Sequence, residues 1–81
     1  MSLMLAADCH GISVTACNVT CAAQVEYLSH QIRECIRQGY QRIMLFLTGE
    51  NNHAPGLYAM LRELKSQLNA RLKIVATRES L

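Results

Sequence analysis

Tryptophan is absent from these 81 residues, and proline and phenylalanine occur only once each. No lysine or arginine precedes Arg33, and in that first stretch only Asp8 and Glu26 carry charge. With Phe46, Tyr27, Tyr40 and Tyr58 as the whole aromatic supply, there is little to stack on bases. A net charge of +2 adds little pull toward a phosphate backbone, so nucleic acid is not the expected partner. Long apolar runs are missing too: nothing approaches the roughly 20 residues of a membrane span, and no membrane is expected. Phosphate loop, dinucleotide fingerprint and nucleophile elbow are all absent, which removes the usual sequence supports for nucleotide and serine-hydrolase chemistry. No cofactor is expected.

Four cysteines are present: Cys9, Cys17, Cys21 and Cys35. The apolar stretch from Leu3 to Ala7 is too short for the core of a secretion leader, so reduced thiols in a cytoplasmic chain are expected. Met1-Ser2-Leu3 has the composition of an expression scar, which leaves room for the chain to be a piece of something longer. One domain is expected over residues 1–81. A chain this short buries only about 60–65% of the surface its unfolded form exposes. Because 51% of the residues are hydrophobic, some apolar surface should be left over, and such surface commonly ends in a subunit interface. A homo-oligomer, most simply a homodimer, is the expectation.

The pattern along the chain alternates between two periods. Leu3 to Ala7 is a short apolar run, and Asp8-Cys9-His10-Gly11 reads as a tight turn. Ile12, Val14 and Ala16 alternate with Ser13 and Thr15, the mark of a strand with one buried face. Asn18 or Thr20 is placed to cap a helix whose apolar stripe is Cys21, Val25, Leu28, Ile32, Cys35 and Ile36. Gly39 falls where a left-handed residue closes a helix. Ile43 to Leu47 is unbroken and apolar, as in a strand covered on both faces. Asn52 or His53 is placed to cap a second helix, with Pro55 in its first turn and Leu57, Met60, Leu61, Leu64 and Leu68 as its stripe. Leu72, Ile74 and Val75 form the last strand. This is a small α/β domain of order β-β-α-β-α-β, with a mixed sheet, the last three strands parallel and two helices packed on it.

Ligands of open α/β sheets bind beyond the carboxyl ends of the parallel strands. Two loops leave those ends, and they bring Cys17, Asn18, Thr48, Glu50, Asn51, Asn52 and His53 into range of one another. This is the candidate ligand loop. Its sharpest chemistry is a Cys17 thiolate near a helix N-terminus with His53 as base. The plainer reading, a partly buried Cys17 and a solvated His53, is preferred because residues on separate loops carry no fixed spacing. Cys17 and Cys21 with His10, His53 or Cys9 lack the paired C-x-x-C spacing of a metal site, and no metal is expected. Glu50 has no second carboxylate for acid–base work.

Ile12-Ser13-Val14-Thr15, Val19-Thr20 opening a helix, and Gln38-Gly39-Tyr40 before the Ile43–Leu47 strand resemble the first half of a Clp-protease or crotonase-type domain. Gly56-Leu57-Tyr58-Ala59-Met60-Leu61 falls where that family starts its next helix. The resemblance implies an oxyanion-hole turn with paired glycines after the strand. Thr48-Gly49-Glu50-Asn51-Asn52 stands there instead, and the family's catalytic Ser and His would fall beyond residue 81, so no catalytic residue carries over. Leu47-Thr48-Gly49 and Gly56-Leu57 are also similar to STAS domains. That family's phosphorylation motif would fall at His53-Ala54-Pro55-Gly56, which has neither its Asp nor a Ser. The leading expectation is a non-catalytic domain acting through self-association and protein contacts. A Cys17/His53 ligand or enzyme site, and RNA binding through the basic residues that begin at Arg33, are the alternatives.

Overall fold

The computed structural model describes residues 1–76. Their elements are β1 (Ser2–Ala7), β2 (Ile12–Cys17), α1 (Ala22–Arg37), β3 (Ile43–Thr48), α2 (Leu57–Leu68) and β4 (Leu72–Ala76). A single 3-10 turn, Asn69–Arg71, precedes β4. Arg78, one of the basic residues that follow Arg33, lies outside the described residues.

Sheet order is β1-β2-β3-β4, with β1 antiparallel to β2 and the last three strands parallel. The expected fold class is therefore the one the chain adopts. Alternation in β2 does what period 2 requires: Ile12, Val14 and Ala16 are buried while Ser13, Thr15 and Cys17 are half-buried. Register carries this across the sheet, aligning Ile12 with Ile43 and Leu72, and Val14 with Leu45 and Ile74. On these rows α1 lays Val25, Leu28, Ile32 and Cys35, and α2 lays Leu57, Leu61 and Leu64. Each such aliphatic side chain stabilises the fold by about 1.5–3 kcal/mol on burial.

The ends of α1 and β1 follow local chemistry. Gly39, at φ 99, closes α1: its N–H donates to Ile36 O at 3.0 Å and that of Tyr40 to Cys35 O at 3.2 Å, a Schellman pair. In the β1–β2 turn, Asp8 Oδ1 accepts from the N–H of His10 at 2.7 Å and of Gly11 at 3.0 Å. Those two donors hold the Asp8 carboxyl below its usual range. Gly11 serves close approach rather than a left-handed turn, because a Cβ there would lie 2.3 Å from Arg42 O.

Four expectations need correction. Cys21 does not join the buried stripe of α1; it is exposed at the N-cap with extended backbone, so its side chain leaves the helical spacing. Neither Asn18 nor Thr20 caps α1 with its side chain: Asn18 sits at φ 61, and the Thr20 N–H and hydroxyl donate to Gln24 Oε1. The second helix starts at Leu57 with Gly56 as N-cap, leaving Asn52, His53 and Pro55 ahead of it. Most consequential, β3 is covered on one face only: Met44 is 36% exposed and Phe46 half-buried. The strand order explains this. Both crossovers step the same way along the sheet, β2 to β3 to β4, so crossovers of one hand lay both helices on one face.

Candidate functional site

β2 and β3 are neighbours and Cys17 pairs with Thr48, so the loops after them leave the sheet side by side. What joins them is Asn52. Its Nδ2 donates to Thr48 O at 2.8 Å and, at the limit of 3.5 Å, to Gly49 O. Its Oδ1 accepts from the Val19 N–H at 2.9 Å, and the Ala54 N–H returns to Val19 O at 3.1 Å. Beneath this clamp Val19 and Ala54 are buried. Gly49, at φ 84, lies so close to the other loop that a Cβ would meet Asn18 Oδ1 at 2.7 Å and Cys17 Sγ at 2.9 Å.

Of the predicted loop residues, Cys17, Asn18, Thr48 and Asn52 come together around Gly49. Glu50, Asn51 and His53 are exposed, and among the described residues their side chains make no hydrogen bond. Asn52 therefore spends both ends of its amide on backbone. Cys17 is packed against glycine backbone, with no base hydrogen-bonded to its sulfur among the described residues. With both ends of its amide on backbone, Asn52 braces the two loops against each other. Cys9 and Cys21 are exposed, while burial, and then the Glu34 charge, push the Cys35 thiol up. Among the described residues no three His, Cys, Asp or Glu side chains group closely enough to hold a metal ion.

A basic groove at the opposite end of the sheet escaped the sequence reading. Arg42, Arg71 and Lys73 line an open cavity of about 620 Å³ together with Gln41, Met44 and Ala70. Their convergence follows from register. Arg42 and Arg71 each stand one residue before a strand, and Ile43 pairs with Leu72. Arg71 is pinned there, donating to Tyr40 O at 3.0 Å and Gln41 O at 3.3 Å. The usable signal was the repeated Arg immediately ahead of two parallel strands. Among the described residues no helix is long and apolar enough to cross a membrane.

No protein-family model, curated protein or solved structure matches the chain.

Proposed function

We propose that this protein is a non-catalytic domain that works through self-association and protein contacts. The observation that carries the reading is the face of the sheet turned away from the helices. Register sets Met4, Thr15, Phe46 and Val75 in one row across it, and Ala6, Ser13, Met44 and Lys73 in the next. Met4 is 68% exposed, and one cation is the only charge in the two rows. Five of these eight side chains are apolar and among the described residues no layer covers them, which favours contact with another protein surface. The brace at Asn52, which spends both ends of that amide on backbone, supports the non-catalytic half of the proposal.

Size sets the expected strength. Four strands about 4.8 Å apart and six residues long give a face of about 19 by 20 Å. That is about half the 800 Å² per partner of a standard interface, the size class of weak, transient contacts. Sedimentation equilibrium from about 1 to about 100 μM tests it. A mass rising from the 9.1 kDa monomer toward a dimer is expected; a monomer throughout would sink the proposal.

One observation favours a second reading, RNA binding. The groove of Arg42, Arg71 and Lys73 concentrates cations that are scattered in sequence. Retention of single-stranded RNA that weakens with salt, and weakens further in Arg42→Ala/Lys73→Ala, would support it. Absent or salt-independent retention removes it.

A further inference from the structure

We propose that a second copy of this chain pairs its β1 antiparallel with β1 about a two-fold axis at Leu5, joining two sheets into one of eight strands. The proposal rests on the self-association reading and supplies its surface.

The direction of the backbone groups comes first. In an antiparallel ladder, opposed residues alternate between exchanging both hydrogen bonds and exchanging none. The Asp8 N–H donates to Gly11 O at 2.9 Å, which marks that pair as bonded. Counting back through the register, Ala6/Ser13, Met4/Thr15 and Ser2/Cys17 are the bonded pairs. Leu3, Leu5 and Ala7 therefore turn their N–H and C=O outward, and among the described residues no strand meets them. Such an edge is usually blunted by a charge, a proline or a bulge. β1 has none of these: Ser-Leu-Met-Leu-Ala-Ala is uncharged and its register with β2 is unbroken. The other edge, β4, carries Lys73.

A second copy fits this edge better than an unrelated strand would need to. With Leu5 opposite its own copy, all three outward residues of each chain are used. Leu3 then faces the second copy's Ala7 on the helix side, and Met4 faces its Ala6 on the open side. Large meets small at both of these pairs, with Leu5 against its own copy on the axis, and each residue's partner meets it in turn, as an isologous contact requires. The pairing sets a second chain beside Met4 and Leu5, 68% and 45% exposed in the single chain. It also doubles the open face to about 38 by 20 Å, close to the area of a standard interface.

Amide exchange by NMR at about 10 and about 500 μM, read beside the sedimentation mass, tests the pairing. The Leu5 and Ala7 amides should slow at least tenfold at the higher concentration, while those of Met4 and Ala6 stay protected at both. Leu5→Pro removes an outward N–H and leaves the ladder to β2 whole, so it should fold and remain monomeric. Met44→Lys, on the open face, should still dimerise. If the mass doubles while the Leu5 and Ala7 amides exchange equally fast at both concentrations, edge pairing is overturned and self-association through another surface stands. A dimer broken by Met44→Lys but kept by Leu5→Pro overturns edge pairing in the same way. If the mass never rises, both fall.

Discussion

Asn52 has a donor end and an acceptor end, and the fold uses both on backbone, tying the loop after β3 to the start of the segment leading into α1. Asn52→Ala leaves the part-buried Val19 N–H without its partner, a cost of about 1–3 kcal/mol in urea unfolding. Asn52→Asp keeps the acceptor and should fall between that variant and wild type. From sequence, Asn52 was legible as a polar residue at the strand ends but not as a brace, because partners 33 residues apart depend on which strands adjoin. The cysteines separate in the same way. Alkylation should reach exposed Cys9 and Cys21 first and Cys35 last, since burial both shields that thiol and disfavours its thiolate. A Cys17 that outpaces Cys9, and slows in His53→Ala, would favour the enzyme reading over the proposed one.

β3 shows what an element can and cannot announce. Its five apolar residues in a row, Ile43 to Leu47, predicted a strand buried on both faces, and only the strand was right. Composition gives hydrophobicity at each position; the face that receives helices depends on the order of the strands. In β2 the polar Ser13 and Thr15 made the open face readable, whereas Met44 and Phe46 concealed it in β3. Substitution should separate the two faces. Leu45→Ala, beneath the helices, is expected to cost about 2–5 kcal/mol. Met44→Thr, next to it but 36% exposed, should stay within about 0.5 kcal/mol of wild type. The helix stripes were legible because period 3.6 survives inside a helix. Cys21 was misassigned because the period was extended one residue past the helix start, where the backbone is still extended.

At the scale of the molecule, two helices suffice to cover one face of three strands. β1, added by a hairpin rather than a helical crossover, extends the sheet past that cover. The excess of apolar residues over what so short a chain can bury was legible in composition; its location was not. Part of it lies on the open face and the outer edge, both of which include Met4. The same scale governs the basic groove, where register gathers cations that the sequence spaces 29 residues apart at Arg42 and Arg71.

Met4 makes self-association through the open face directly measurable, because a contact there covers its thioether. The measurement is the rate of Met4 sulfoxide formation in excess dilute peroxide, read by mass spectrometry at about 1 and about 100 μM protein. Met60, in the groove between the helices, serves as the internal standard. A Met4 rate falling several-fold relative to Met60 at the higher concentration is the expected result. Equal relative rates at both concentrations would contradict self-association through the open face.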